Sequence, residues 1–322
     1  MERVLITGGM GFLGTHLCER LLQAGREVWA LDLFEPPHAK RLREYERFHL
    51  VVDTIKNKQT LQKLVDKCDL VCHLAAVACP EQYVNQTRKT IDIGLLSGID
   101  VIEMVRMTGK KLFFTSTSEV YGRNPKVPWS EDDDRVLGSV DVSRWCYSTS
   151  KAVLEHYIRA CHMEGQLDFL MVRVFNCYGP RLRGRVLDRF IDSSLRGEPM
   201  TIHGDGLQTR CFTYVDDLID GVVRLLSTPS AWNETYNIGN PDETTILELA
   251  QHISQATGNT EANIEFVSHE QAIGKSYEDI PRRVPDITRI RRAIGWKPTT
   301  DLRTGLAQTI AYRSQELGLT YV

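Results

Sequence analysis

Three groups of residues in this chain have the types and spacing to do chemistry. The first is Gly8, Gly11 and Gly14 in the run TGGMGFLG, between the apolar stretch Arg3–Thr7 and the amphipathic stretch Phe12–Ala24. Glycines there permit a tight turn, let backbone N–H groups approach a pyrophosphate and leave the positive end of a helix facing it. Asp32 ends the next apolar run, Glu27–Asp32. A carboxylate at that point accepts hydrogen bonds from an adenosine ribose and repels a 2′-phosphate, which selects NAD over NADP. Phe12 and Leu13 continue the glycine turn, Asp53 and Thr54 follow the apolar run Leu50–Val52, and Leu74 ends the run Leu70–Leu74 with Ala75 and Ala76 after it. All are expected to line the cofactor site, Asp53 facing the adenine.

The second group is Tyr147 and Lys151, four apart in YSTSK; of the eleven tyrosines, only Tyr147 has a lysine at that spacing. On a helix the two share a face. An ammonium beside a phenol favours phenolate and lowers its pKa from about 10 toward neutrality, which makes a general base. The third is Thr117, which follows the run Lys111–Ser116. Active-site loops gather at the strand ends of a parallel sheet, where a hydroxyl can bond a reacting oxygen.

These groups need a scaffold, and the pattern of the chain supplies one. Apolar runs at Arg3–Thr7, Glu27–Asp32, Leu70–Leu74, Lys111–Ser116 and Asp168–Val174 alternate with helix-length amphipathic stretches. That alternation predicts an α/β fold: a Rossmann-type doubly wound parallel sheet with helices on both faces. After Phe175 the rhythm changes to a Gly-, Pro- and Arg-rich loop, then a helix over Val186–Arg196, a strand over Pro199–His203, a helix over Val215–Ser227 and a strand over Thr235–Ile238. The reading is an NAD-binding domain over residues 1–175 with about 209–240. A smaller C-terminal α/β substrate lobe takes 176–208 and 241–322.

Composition narrows the class. With 39 Lys+Arg against 42 Asp+Glu in 322 residues, the net charge of −3 leaves no basic footprint for nucleic acid. The longest stretch without a charged side chain, Val4–Cys18, holds four glycines and is too short to span a membrane. No signal peptide opens the chain. Eight scattered cysteines form no paired CxxC blocks, so no metal and no disulfide framework is expected, and a cytoplasmic protein with reduced thiols is.

The glycine triplet, Asp32, the segment TSTSEVYG and the YxxxK pair together resemble the extended short-chain dehydrogenase/reductase family that acts on nucleotide sugars. The likeness covers nearly the whole chain. It implies bound NAD that removes and later returns a hydride, with Tyr147 as base, and a homodimer through helices around Ile91–Met107 and Ser150–Cys161. Within the family, 4,6-dehydratases carry Asp-Glu after the threonine, whereas this chain has Ser118-Glu119. Simple 4-epimerases usually lack that carboxylate. Ser-Glu is similar to the UDP-glucuronate decarboxylases, with Thr117, Ser118, Glu119, Tyr147, Lys151 and Arg283 as the catalytic set.

Further stretches carry the same resemblance. Arg144 before Tyr147 resembles the Arg-x-x-Tyr of decarboxylases and the Arg-Trp-x-Tyr of apiose/xylose synthases; Arg283-Val284-Pro285-Asp286 resembles their Arg-x-Pro-Asp. Asn176 in FNCYGPR is implied near the sugar diphosphate, Arg210 in QTR at the pyrophosphate, and Tyr83 near the uronate. Arg185 and His203 complete the implied substrate set. Arginine suits such tasks because its planar fork binds phosphate or carboxylate bidentately.

Departures matter too. Gly94 stands where relatives carry Asn or Asp on the helix behind the cofactor. The cysteines of apiose synthases are replaced by Ser118 and by Ser148 or Thr149, and Cys146 precedes the tyrosine, which disfavours ring contraction. His203 stands where relatives often have a tyrosine near the base, which leaves the base open. The expected reaction converts UDP-glucuronate to a pentose or 4-keto-pentose nucleotide. A nucleotide-sugar 4-epimerase and a non-catalytic NAD or nucleotide-sugar binder are the alternatives.

Overall fold

The computed structural model describes residues 2–259, 264–268, 271–272 and 278–319. Seven strands form one sheet: β1 (Arg3–Thr7), β2 (Glu27–Asp32), β3 (Phe48–Val52), β4 (Leu70–His73), β5 (Lys111–Thr117), β6 (Phe169–Val174) and β7 (Glu234–Ile238). Their order is β3-β2-β1-β4-β5-β6-β7, and every neighbouring pair is parallel. A parallel sheet covered on both faces reads as near-continuous apolar runs. That is why these strands stand out in the sequence.

Alternate residues of each strand serve opposite cores. Val4 and Ile6 pack with Leu17, Leu21 and Leu22 of helix α1 (Phe12–Gln23). Leu5, Val71 and Phe114 pack against helices α2 (Lys58–Lys67), α3 (Ser97–Thr108) and α4 (Trp145–Met163). β1 lies between β2 and β4, with Thr7 in register with both Leu31 and His73. The winding reverses there, and the crevice beyond those strand ends is where a doubly wound sheet holds its ligand.

Helix α5 (Val186–Arg196) and the parallel pair Met200–His203 and Ile264–Val267 lie outside the main sheet. Thr209–Cys211 pairs antiparallel with Glu243–Thr245, while β7 extends the main sheet. The helix expected over Ile91–Met107 is not one regular α-helix: Asp92–Leu96, with Gly94 inside it, is wound as a π-turn before α3 begins. A Cβ built on Gly94 meets nothing within 4 Å. Among the described residues no helix is long and apolar enough to cross a membrane.

Candidate active site

The cofactor end of the site is made by backbone. α1 opens with Gly11 as its extended N-cap and no side chain capping it, so its first N–H groups face the crevice. Gly8 turns the chain with φ +71°, and a Cβ there would sit 2.8 Å from the Ala75 nitrogen. A Cβ on Gly14 would sit 2.1 Å from the Gly8 carbonyl oxygen. No other residue lets the loop, β4 and α1 approach this closely. The Asp32 carboxylate accepts the Met10 N–H at 2.8 Å and the Leu33 N–H at 2.7 Å, which aims it into the turn. Burial raises its pKa against those two donors.

Asp53 is different. Its carboxylate accepts from the Thr60 hydroxyl (2.6 Å), the Asn57 amide (2.7 Å) and the Thr54 N–H (2.7 Å). The loop before α2 engages it, so Asp53 shapes the cofactor wall more than it offers a free carboxylate to the adenine.

One cavity of about 1260 Å³ runs from the glycine loop to α5 and the strand Met200–His203. Along it lie Phe12, Leu13, Thr54, Leu74, Ala75 and Ala76, and the catalytic candidates Thr117, Ser118, Glu119, Tyr147, Lys151 and Arg283. Asn176, Arg185, His203 and Arg210 line its far part. Glycine cradle, uncapped α1 end and Asp32 together fit a dinucleotide.

β5 delivers Thr117 as its last residue, and α4 brings Tyr147 alongside, where the Thr117 hydroxyl favours the phenolate. Lys151, one turn on, donates from Nζ to the Thr115 carbonyl oxygen at 2.8 Å and lies over the Phe114 ring at 4.6 Å. The expected lowering of the phenol by Lys151 is not what the structure gives. Burial pushes Tyr147 up to about 12, and the cation that opposes burial is Arg185. Desolvation outweighs the helix neighbour because Tyr147 is almost wholly enclosed. Burial likewise lowers Lys151 to about 8, with Glu155 working against it.

Beside this pair lies a charged cluster. Glu119, in the short turn Ser118–Tyr121 after β5, accepts from Arg283 Nη1 at 2.8 Å and from Arg144 Nη2 at 3.2 Å. Burial alone would raise Glu119, but the two guanidiniums hold it down at about 2. Arg144 and Tyr83, expected at the sugar, are both fully buried behind the cavity wall. Tyr83 donates to Glu119 at 3.5 Å and stacks parallel to the Tyr147 ring at 5.3 Å. Both brace Glu119 and Tyr147. Arg210, expected at the pyrophosphate, donates from Nη2 to both Asp279 carboxylate oxygens, at 2.7 and 2.8 Å, and from Nη1 to the Ile280 carbonyl at 2.9 Å. Arg185 reaches across the cavity mouth to the Ala78 carbonyl at 2.6 Å.

Asp279 and Arg189 are among the charged cavity residues that the sequence did not mark. Asp279 meets its partner Arg210 across 69 residues, with no periodicity to mark it. Arg189 lines the cavity one helical turn beyond Arg185, a spacing that was available to see.

Comparison with known proteins agrees with this geometry. Residues 4–239 match the NAD dependent epimerase/dehydratase family. The chain is 34% identical to the UDP-N-acetyl-alpha-D-glucosaminuronate decarboxylase of Bacillus cytotoxicus, covering 97% of each chain. It is 34% identical to UDP-glucuronic acid decarboxylase 1 of Danio rerio, over 98% of this chain and 73% of that one. The crystal structure of UDP-glucuronic acid 4-epimerase from Bacillus cereus, in complex with UDP-glucuronic acid and NAD, superimposes with a TM-score of 0.87 at 29% identity, covering 98% of this chain and 99% of that one. The family signature, the glycine cradle and the Tyr147–Lys151 helix coincide, and the chain belongs to the NAD-dependent epimerase/dehydratase family, the extended short-chain dehydrogenase/reductases, with NAD as its cofactor.

Proposed function

We propose that the protein decarboxylates a nucleotide-linked uronic acid, UDP-glucuronate or its 2-acetamido counterpart, through a 4-keto sugar. The observation that carries the reading is the Glu119 carboxylate clamped by Arg144 and Arg283, two residues past Thr117 and close enough to act on the Tyr147 phenol. The two decarboxylase relatives support it over nearly the whole chain.

Bound NAD supplies the hydride acceptor and donor, and its oxidised ring adds a positive charge that favours the Tyr147 phenolate. Tyr147 Oη takes the proton of the sugar 4-hydroxyl, and the Thr117 hydroxyl holds the same oxygen. The resulting ketone is β to the carboxylate on C5. When the bond between C5 and the carboxyl carbon breaks, its electron pair moves to the 4-oxygen, where the Tyr147 and Thr117 hydroxyls stabilise the enolate. Arg283 Nε and Asn176 Nδ2 have no hydrogen-bond partner among the described residues. Both residues line the cavity and suit oxygens of a carboxylate or diphosphate. Glu119, ionised at neutral pH, orients Arg283 and the ring, and the proton that C5 gains as the enolate collapses comes from water.

The likeness to the UDP-glucuronic acid 4-epimerase favours a second reading, in which the ketone turns over before reduction. Mass spectrometry separates the two. Incubation with NAD and either UDP-uronate gives a product lighter by carbon dioxide if the proposal holds. An isomer of unchanged mass establishes the epimerase; intact substrate with folded, NAD-loaded protein establishes a binder. The same reading includes a cytoplasmic homodimer. Its supports are eight free cysteines and the exposed apolar side chains Met107 on α3 and Val153 and Met163 on α4.

A further inference from the structure

Behind the catalytic pair lies a buried ion pair that the chemistry above does not use. Glu155 is on α4, one turn after Lys151 and two after Tyr147, so the three project from one side of the helix. Arg173, on β6, grips it with both arms: Nε donates to Oε1 at 3.0 Å and Nη2 to Oε2 at 2.7 Å. The Ser116 hydroxyl donates to the same Oε1 at 2.6 Å. Both charged residues are buried.

Ser116 sits between the two residues of β5 that hold the catalytic pair. Thr115 accepts from Lys151 through its carbonyl and Ser116 donates to Glu155, while Thr117 lies beside Tyr147. Two consecutive residues of one strand thus bond two successive turns of one helix, and the next residue of the strand faces the turn before them. Arg173 is fixed in turn by the Tyr121 hydroxyl at 2.8 Å and the Glu131 carbonyl at 2.9 Å, so the anchor of Glu155 does not drift.

We propose that Glu155 is a positioning residue for the reaction: it locks α4 onto β5 in the register that sets Tyr147 against Thr117, and it supplies the buried negative charge that faces the Lys151 ammonium. The proposal rests on the role given to Tyr147 above and takes Lys151, one turn on, to be needed as a cation during turnover.

The surroundings show why that charge matters. Lys151 is faced by Tyr147 on its own helix, by His73 at the end of β4 and by the Phe114 ring of β5. His73 is held neutral by burial and offers no negative charge, and the ring face favours a cation only modestly. Glu155 is faced by Arg173, by Ser116 and by Arg135, whose Nη1 lies 3.7 Å from Oε2. Without its carboxylate, Lys151 keeps the desolvation that already brings it to about 8 and gains the uncompensated field of Arg173 and Arg135.

The test is Glu155→Gln, which keeps the shape and an oxygen for Ser116. Lys151 should titrate at least about one pH unit lower, so its cationic fraction at pH 8 falls from about half to about a tenth. Expected is a roughly fivefold loss of kcat at pH 8 with less than about twofold loss at pH 6, and KM nearly constant. Glu155→Asp, which restores the charge, should return the alkaline limb toward wild type. Glu155→Gln with Arg173→Gln removes the orphaned buried cation, should the single variant fail to fold, and is expected to lower Lys151 as well. Carbon-13 NMR of lysine-labelled, NAD-loaded protein, with the Lys151 signal assigned by Lys151→Met, reads the same ionisation without turnover. If no uronate reacts in the wild type, the reaction is misassigned, yet the NMR titration still decides the role of Glu155. An unmoved Lys151 titration, or a kcat loss equal at all pH values, overturns the proposal.

Discussion

Replacing Glu119 with glutamine keeps its volume and removes the charge that Arg144 and Arg283 contact most closely, Asp279 lying farther from them at 3.6 and 4.0 Å. The carboxyl is only 6% exposed, so solvent screens little of the interaction. Its pKa falls from 4.5 to about 2 in the folded protein. At about 1.36 kcal/mol for each pH unit, the ionised form contributes about 3 kcal/mol to folding at pH 7. Because the folded pKa is the lower one, this contribution is complete above about pH 4.5 and is lost as the pH falls toward about 2. Glu119→Gln should therefore unfold in urea with a stability lower by about 3 kcal/mol at pH 7, in line with breaking a buried ion pair. The gap should shrink to about half that near pH 3. A difference under about 1 kcal/mol at pH 7, or one that ignores pH, refutes the claim that the two guanidiniums hold Glu119 ionised. Turnover should fall together with stability, since Arg283 loses the partner that orients it.

Tyr147→Phe should lower kcat by about 10²- to 10⁴-fold while leaving the NAD dissociation constant, measured by calorimetry, within about twofold. Asp32→Ala should weaken NAD about tenfold or more and narrow the gap to NADP, read by fluorescence titration with both dinucleotides; unchanged selectivity contradicts the placing of that carboxylate. Gly94→Ala should be accommodated, because a Cβ there meets nothing within 4 Å. A gain of about 0.5–1 kcal/mol in thermal or urea unfolding is expected, and a marked loss of stability contradicts the open space.

What was legible in the sequence is what is local. β1, the glycine loop, α1 and Asp32 lie within 32 residues, and each step obeys a short-range rule of turn, cap or strand end. The same holds for Tyr147 and Lys151 on one helix face. What was not legible depends on distant pairing. Arg283 meets Glu119 across 164 residues and Arg144 meets it across 25, so their ion pairs become visible only once the sheet closes. The resemblance implies Tyr83 and Arg144 at the sugar, and their burial, which no local pattern signals, sets both behind the wall. The phenol of Tyr147 was read from its charged neighbour alone, whereas enclosure by the cavity is the larger influence. Asp53 was read by position, and its loop partners Asn57 and Thr60 lay close enough in sequence to suggest the local hydrogen bonds that claim it.

The most direct test of the central claim follows the carboxyl carbon itself. UDP-glucuronate and its 2-acetamido counterpart, each labelled with carbon-13 in the carboxyl group, are incubated with the NAD-loaded protein and watched by NMR. Transfer of the label from a sugar carboxylate to bicarbonate, in step with the appearance of a pentose or keto-pentose nucleotide, is the predicted result. A label that stays in a sugar carboxylate, whether the ring is inverted at C4 or untouched, contradicts it.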